Sequence, residues 1–204
     1  MNHLHSMYNL ALLWTLWAVL HSLLISRSVT SRLQKKLGAY AAYYRIVYNI
    51  FSLLTLIFVM GYQLRLEEKI IFAWPWPWNL VKIFMYLVAF LLFYGGSRAY
   101  DMDFVIGIKQ LQGRSEHALP KTAEFKTSGI LQHVRHPWYT AAILTVWAFG
   151  PISDVSLVSK IILTVYIIIG TILEERKLIN EFGAPYLDYR KRVPQFIPWK
   201  LFSR

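Results

Sequence analysis

Residues 127–175 have the sequence TSGILQHVRHPWYTAAILTVWAFGPISDVSLVSKIILTVYIIIGTILEE. A basic and aromatic cluster opens this segment, an acidic pair closes it, and the residues between them are mostly apolar. Gly150-Pro151 interrupts the apolar part, and because proline stops a helix and glycine eases a turn, the segment predicts a helical hairpin. The two polar ends of such a hairpin meet on one side of a bilayer, where a polar site is by default a candidate functional site.

The rest of the chain has the same membrane character. Of its 204 residues, 56% are hydrophobic, 16% are aromatic and 16% are charged, whereas a soluble domain carries about 25% charged residues. The apolar runs reach the roughly 18 residues that cross a bilayer. We predict an all-α integral membrane protein with about five transmembrane helices, near residues 7–26, 46–64, 79–97, 138–152 and 155–173. The fourth is short for a full crossing, and we expect the first to be retained rather than cleaved.

A polar tail follows the hairpin. Its sequence, FGAPYLDYRKRVPQFIPW at residues 182–199, places Phe182, Tyr186 and Tyr189 near a basic cluster. This pattern is typical of an amphipathic helix that lies in the membrane interface. We treat the chain as a single membrane domain, with a three-helix N-terminal part at residues 1–97 and a C-terminal part at residues 98–204.

The positive charges predict the orientation. If five spans alternate, 18 of the 22 Lys and Arg residues lie on one side, and the positive-inside rule makes that side cytoplasmic. The N-terminus is then outside and the C-terminus inside. The 18 residues are Arg27, Arg32, Lys35, Lys36, Arg45, Arg98, Lys109, Arg114, Lys121, Lys126, Arg135, Arg176, Lys177, Arg190, Lys191, Arg192, Lys200 and Arg204.

Composition also excludes some functions. The net charge of +11 is typical of basic loops that lie against anionic lipid headgroups. Because the sequence has no basic–aromatic groove and no known nucleic-acid-binding module, we expect no nucleic-acid partner. The chain contains no cysteine, which excludes disulfides, thiolate nucleophiles and thiolate metal sites.

The cluster before the hairpin has the residue types of a ligand site. Arg135-His136-Pro137 leads into the fourth span, and proline at the first position of a helix is pre-organised for that place. A helix N-terminus favours carboxylate or phosphate groups. Arg135 adds a forked donor, His136 can donate or accept, and Tyr139 presents a ring.

Glu174 and Glu175 end the predicted fifth span. Adjacent carboxylates repel each other unless a cation or a donor lies between them. Taken alone, the pair is explained as the polar end of a helix that leaves the lipid, with Arg176 or Lys177 as its partners.

The two clusters together carry a family resemblance. The pattern T-S-G-I-(x)3-V-R-H-P-W-Y, then a hairpin, then E-E-R-K-L-(x)3-F-G-x-x-Y-x-x-Y-(x)3-V-P-x-F-I-P, resembles the isoprenylcysteine carboxyl methyltransferase superfamily. That group includes phospholipid N-methyltransferases and bacterial thiol S-methyltransferases. The pattern covers residues 127–198. In the N-terminal half, His21-Ser22 and Tyr44-Arg45-(x)2-Tyr48-Asn49-(x)2-Ser52 are similar to bacterial members and to NnrU-type membrane proteins.

The resemblance implies a methyltransferase that uses S-adenosyl-L-methionine. It implies a bacterial inner-membrane location, a cytoplasmic site, and a hydrophobic small-molecule or lipid acceptor that enters from the bilayer. It implies catalytic roles for Arg135, His136 and Glu175. The implied cofactor contacts are Leu131, Val134, His136, Pro137, Tyr139, Glu174, Glu175, Tyr186 and Tyr189.

The sequence is compatible with more than one role for some residues. Arg135 could bind the cofactor carboxylate or the substrate, and the accepting group could be a carboxylate, a thiol or an amine. Gln195 stands where the family often has arginine, so a contact made by that arginine would be missing.

Other interpretations compete with the methyltransferase. Membrane sterol and steroid reductases share a similar C-terminal element but bind NADPH, and an NnrU-like accessory protein would have no catalysis. His133 and His136 with Glu174 could ligate a metal, but without a third histidine we expect no metal site. Asp101 and Asp103 more often cap a helix than bind a cation. His21 is expected to bond across helices to Asn49 or Ser52.

Overall fold

The computed structural model describes residues 3–113 and 127–198. Residues 1–2, 114–126 and 199–204, which include the predicted cytoplasmic charges Arg114, Lys121, Lys126, Lys200 and Arg204, lie outside the described residues. Two 3-10 turns span Gly38–Tyr43 and Gly129–Gln132, and two short strands are β1 (Ile70–Phe72) and β2 (Ile152–Ser153). The helices are α1 (His3–Ile25), α2 (Arg27–Leu37), α3 (Tyr44–Gln63), α4 (Trp78–Ala99), α5 (Met102–Ile106), α6 (Ile108–Leu111), α7 (Pro137–Ala148), α8 (Asp154–Phe182) and α9 (Ala184–Arg192).

The predicted all-α membrane fold is confirmed. Among the described residues, four helical segments are long and apolar enough to cross a bilayer: His3–Ile25, Arg27–Gln63, Trp78–Ala99 and Asp154–Phe182. The fourth predicted span, residues 138–152, corresponds to α7, which has only 12 residues. At a rise of 1.5 Å per residue it is about 18 Å long, less than the roughly 30 Å of a hydrocarbon core.

The C-terminal helices differ in detail from the prediction. The fifth span was expected to end at residue 173, but α8 continues to Phe182, so Glu174 and Glu175 lie inside the helix rather than at its end. The predicted tail helix is α9, whose Tyr186 and Tyr189 are buried within the protein. Its predicted contact with the membrane interface stays a prediction.

The chain forms two compact units, and the first comprises Met1–Lys69, Asp101–Thr122 and Asp154–Ile162. In it α1 and α3 run antiparallel, and α1 buries one stripe of residues four apart: Ser6, Leu10, Trp14 and Ala18. The Tyr48 hydroxyl lies 3.0 Å from His21 Nε2. His21 therefore bonds across the helices as predicted, but its partner is Tyr48 rather than Asn49 or Ser52.

Two polar side chains of α3, Arg45 and Asn49, donate hydrogen bonds to the short helix α5. Arg45 Nε donates to Val105 O at 3.1 Å, and Asn49 Nδ2 donates to Ile106 O at 3.0 Å. Both acceptors are terminal helix carbonyls, which have no partner within their own helix. Asp101 Oδ1 accepts from Phe104 N at 3.1 Å, so Asp101 is a helix cap, as the simpler interpretation of this residue predicted.

The second unit comprises Ile70–Tyr100, Ala123–Ser153 and Leu163–Arg204. Here α4 and α7 run antiparallel around a core that contains Ala89, Leu92 and Ala141. At Gly96 the two helices come so close that an added Cβ would lie 2.4 Å from the Trp138 indole. The β1–β2 ribbon was not predicted, because strands of two and three residues leave no pattern in the sequence. The predicted division at residues 97 and 98 stays a prediction.

Candidate functional site

The N-terminus of α7 is bound to the C-terminal segment through the main chain. Arg135 N donates to Pro194 O at 3.0 Å, and His136 N donates to Gln195 O at 3.2 Å. We call residues 135–137 the corner and residues 193–196 the strap. Because Gln195 meets the corner through its carbonyl, the departure from the family's usual arginine leaves this contact intact.

Arg135 joins the corner, α8 and the strap. Its Nε donates to Glu175 Oε1 at 2.8 Å, and its Nη2 lies 2.6 Å from the same oxygen. Its Nη1 donates to the carbonyls of Arg190 and Val193. The Arg135 and Glu175 side chains are only 7% and 8% exposed. The guanidinium is therefore largely occupied by protein groups, in the forked geometry that suits carboxylates.

His136 lies beside this ion pair. Its ring is 4% exposed, and its Nε2 lies 3.2 Å from Glu175 Oε1. A carboxylate only accepts, so we assign the ring proton to Nε2, which leaves Nδ1 as an acceptor. Nδ1 lies 3.8 Å from Glu174 Oε2, too far for a hydrogen bond. Tyr139 stacks on the imidazole with ring centroids 5.5 Å apart.

The two glutamates have different surroundings. Glu175 is occupied by Arg135 and His136, whereas Glu174 Oε2 is buried and has no hydrogen-bond partner among the described residues. The side chains of Tyr139 and Tyr100 lie near the Glu174 carboxylate. Burial raises the pKa of Tyr100, and the Glu174 charge raises it further. The Glu174 side chain as a whole is 40% exposed, and Tyr139 forms a side-chain hydrogen bond with its carboxylate, so only Oε2 is left without a donor. A buried acceptor without a donor is costly, so the position of Oε2 favours a ligand that brings a donor or a positive charge.

The other predicted contact residues pack around the site. Val134 and Pro137 are buried, and the Tyr189 hydroxyl donates to Leu131 O at 2.6 Å. Burial raises the pKa of Tyr189 to about 12, and burial also raises the pKa of Tyr186. All the predicted site residues lie in the second unit. The structure brings the corner and the glutamates together, while the contacts of these residues with a ligand stay a prediction.

Tyr100 was not predicted as a site residue. It follows the last residue of α4, and its ring lies edge-to-face on Trp138 at 4.8 Å. The only sequence signal was its place at the polar end of the third predicted span. No spacing pattern links residue 100 to residue 174, so only packing could show that the two lie near each other.

The alternative metal ligands are not assembled. Within residues 3–113 and 127–198, no group of three or more His, Cys, Asp or Glu residues is placed to hold a metal ion. His133 is exposed, and His136 faces the glutamates.

The model of one known protein family matches most of the chain. The model of the NnrU family, described as NnrU protein, matches residues 9–184. The chain belongs to the NnrU family. The resemblance to NnrU-type proteins that was predicted from the sequence is thereby confirmed. No solved structure gives a significant match to the NnrU-family chain.

Curated relatives of this NnrU-family chain share one activity name. It is 35% identical over 114 residues to methanethiol S-methyltransferase 1 of Bradyrhizobium diazoefficiens, covering 53% of this chain and 40% of the relative. It is 31% identical over 136 residues to methanethiol S-methyltransferase of Pseudomonas deceptionensis, covering 66% of this chain and 47% of the relative. It is 30% identical over 139 residues to methanethiol S-methyltransferase of Crocosphaera subtropica, covering 61% of this chain and 54% of the relative. The chain thus spans about half the length of the curated relatives it matches.

Proposed function

We propose that this protein is an S-adenosyl-L-methionine-dependent membrane methyltransferase whose acceptor is a thiol. The observation that carries the proposal is the buried Glu174 Oε2, which lacks a donor among the described residues and lies beside His136. The relatives named methanethiol S-methyltransferase support a thiol over a carboxylate or an amine.

The residues around Glu174 fit the methyl donor. S-adenosyl-L-methionine carries an ammonium and a sulfonium cation, and the Glu174 carboxylate offers the opposite charge. The rings of Tyr139 and Tyr100 nearby can add a cation–π attraction of about 0.5–2 kcal/mol. When bound, the cofactor would supply a methyl group on positively charged sulfur: the sulfonium S–CH3 bond would break, a new S–CH3 bond would form to the thiol sulfur, the cofactor would be left as a neutral thioether, and the thiol proton would be released.

His136 is the group that would take the proton. A bond from Nε2 to Glu175 fixes the tautomer, so that Nδ1 presents its lone pair on the side of Glu174. Stacking on Tyr139 holds the plane of the ring. A positioned general base of this kind contributes about 10²–10⁴-fold to the rate.

Arg135 and Glu175 act as positioning residues in this proposal. Their charges are paired with each other, and Arg135 also binds the strap. They would place His136 and the strap rather than contact the substrate. In this proposal Arg135 binds neither the cofactor carboxylate nor the acceptor, because its donors are held by Glu175 and by the carbonyls of Arg190 and Val193.

We place the site on the cytoplasmic side of a bacterial inner membrane, as the positive-inside rule predicts. A cytoplasmic site has access to S-adenosyl-L-methionine, while an apolar acceptor can arrive through the bilayer.

A matched pair of histidine variants tests the chemistry. In phosphatidylcholine nanodiscs, with methyl-labelled S-adenosyl-L-methionine and methanethiol, His136→Ala should lower turnover at least about tenfold. His133→Ala is the control, because His133 is exposed and only three residues away, and it should stay within about twofold. Equal turnover for both variants would remove His136 from the mechanism.

Binding measurements separate the proposal from its rivals. Titration calorimetry with S-adenosyl-L-methionine and with NADPH should give heat only with the former. Binding of NADPH alone would indicate a reductase, and binding of neither would indicate an accessory role.

A further inference from the structure

Arg45 lies in the first unit, at the end of the antiparallel pair where α1 ends and α3 begins. It is the second residue of α3, and its side chain is half-buried. An arginine keeps its charge in a protein, so a half-buried guanidinium needs acceptors for its five N–H groups. Arg45 belongs to the first unit and has no part in the proposed methyl transfer.

The protein fixes the inner part of this side chain. Arg45 Nε donates to Val105 O at 3.1 Å, and the guanidinium carbon lies 6.0 Å from the centroid of the Phe104 ring. The aliphatic stem passes Gly107, where an added Cβ would lie 3.1 Å from Arg45 Cβ and Cγ. Because the stem and Nε are held, the plane of the guanidinium is held as well.

The two terminal nitrogens of Arg45 have no such contacts. In the part of the chain that the structure describes, Arg45 forms no ion pair, and its side chain donates one hydrogen bond, the bond from Nε. In Arg135, by contrast, Nε, Nη1 and Nη2 all meet protein oxygens. Arg45 therefore presents two terminal donors in a fixed plane, and this fork matches two oxygens of a phosphate.

The surroundings of Arg45 favour an anion. Helix α2 connects the end of α1 to the start of α3, so it lies at the same end of the pair as Arg45. Two acids are close in the fold, but Asp101 is already paired with Lys109, and Asp103 forms no ion pair with Arg45. An anion at Arg45 thus meets an excess of positive charge. The cations of α2, which has no acidic residue, are Arg27, Arg32, Lys35 and Lys36.

An apolar surface lies beside this cation. Ile50, Leu53 and Ile57 are each more than half exposed on α3, and Leu53 is rotated by only about 80° from Arg45 around the helix axis. In a bilayer an exposed apolar helix face contacts acyl chains. A phosphate bound to Arg45 therefore has room for attached acyl chains along α3, which favours a phospholipid over a free phosphate.

We infer that Arg45 is a specific binding site for the phosphate of an anionic phospholipid, whose acyl chains lie along α3. The site is on the side that the positive charges predict to be cytoplasmic. General attraction between basic loops and anionic headgroups depends on charge, and lysine satisfies it as well as arginine. A fixed fork, by contrast, distinguishes arginine from lysine.

Two substitutions that keep the net charge test this difference. Native mass spectrometry in detergent gives the Kd of the first bound phosphatidylglycerol, with phosphatidylcholine of the same chains as the competing lipid. Arg45→Lys should raise this Kd about tenfold. Arg32→Lys is the matched control, because Arg32 is an exposed arginine of α2, and its Kd should stay within about twofold. Equal values for the two variants, or equal affinity of the original protein for both lipids, would overturn the inference.

Thermal unfolding gives a second readout that does not depend on the starting stability. A lipid that binds the folded protein raises its Tm. Mixed phosphatidylcholine–phosphatidylglycerol nanodiscs should raise the Tm, relative to phosphatidylcholine alone, for the original protein and Arg32→Lys but not for Arg45→Lys. A rise of equal size in all three proteins would show that only general attraction operates.

Inorganic phosphate separates the two sources of the anion. Added to the protein in phosphatidylcholine nanodiscs, it should leave the Tm unchanged. A rise in Tm that is lost in Arg45→Lys would assign the site to free phosphate and overturn the assignment to a lipid.

A second pair of variants keeps Arg45 itself, in case Arg45→Lys does not fold. Phe104→Leu removes the ring beside the guanidinium and should raise the Kd for phosphatidylglycerol about threefold or more. Phe58→Leu, an exposed phenylalanine of α3, should leave it within about twofold. An equal Kd for these two variants would count against a fixed fork at Arg45. Because no measurement here uses turnover, the result is independent of the proposed function.

Discussion

The adjacent glutamates of α8 offer a test in which stability and binding should separate. Glu175 is 8% exposed and is bound to Arg135 and His136. Glu174 has a buried oxygen with no partner among the described residues. Substitution by glutamine removes the charge and keeps the shape. Glu175→Gln should therefore weaken the fold, and Glu174→Gln should weaken ligand binding.

The expected magnitudes follow from these contacts. Removing one partner of a buried ion pair costs about 3–5 kcal/mol, because the other charge stays buried. The glutamine oxygen can still accept from Arg135, so we expect the lower end, about 3 kcal/mol. In a chain of this size each kcal/mol lowers the Tm by about 2–4 °C, and the loss for Glu175→Gln should be about 6–12 °C.

For Glu174→Gln we expect a change in stability within about 0.5 kcal/mol. Its effect should be on S-adenosyl-L-methionine, since a hydrogen bond to a charged group is worth about 1.5–3 kcal/mol. The Kd should rise by about 10–150-fold.

Both quantities can be measured on the same purified protein. Thermal unfolding in detergent, followed by circular dichroism, gives the Tm, and titration calorimetry gives the Kd. A lower Tm for Glu174→Gln with an unchanged Tm for Glu175→Gln would refute our division of roles, as would an unchanged Kd for Glu174→Gln.

Three further predictions concern the packing around the site. Gly96→Ala should destabilise the protein by about 1–3 kcal/mol, because the new Cβ would lie 2.4 Å from the Trp138 indole. The control is Gly61→Ala in α3, where nothing lies within 4 Å of the new Cβ, and it should be neutral or stabilising by up to about 1 kcal/mol. Both changes are measured as shifts in Tm. Tyr189→Phe should lower the free energy of unfolding by about 1 kcal/mol, because the hydrogen bond to Leu131 O is lost. Because the folded-state pKa of Tyr189 is raised from 10.0 to about 12, the stability that the Tyr189 hydroxyl contributes should be complete below pH 10 and disappear towards pH 12. A difference in stability between the original protein and Tyr189→Phe that grows above pH 10 would contradict this expectation. Gln195→Ala should change Tm and turnover little, within about 0.5 kcal/mol, since Gln195 binds His136 through its carbonyl; a large loss would show that its side chain contacts a ligand.

Much of the fold could be predicted because it depends on local patterns. The apolar runs that became α1, α3, α4 and α8 follow from the cost of leaving backbone groups without partners in lipid. The turn at Gly150-Pro151 follows from backbone sterics. The β1–β2 ribbon could not be predicted, because strands of two and three residues leave no pattern. The continuation of α8 past residue 173 could not be predicted, because the sequence changes from apolar to charged at Glu174 while the helix continues to Phe182.

The site shows the same division. Sequence alone determined that the corner at residues 135–137 and the pair Glu174 and Glu175 lie at the two ends of one hairpin, because a chain that enters lipid and returns must bring those ends to the same side. Only the tertiary structure decided that Glu175 belongs to the ion pair with Arg135, while Glu174 keeps a buried oxygen with no hydrogen-bond partner among the described residues. Neighbouring residues on a helix point about 100° apart, so which carboxylate meets the guanidinium depends on how α8 is rotated against the corner and the strap. That rotation depends on the tertiary packing of the protein, so it cannot be predicted from two adjacent glutamates in the sequence.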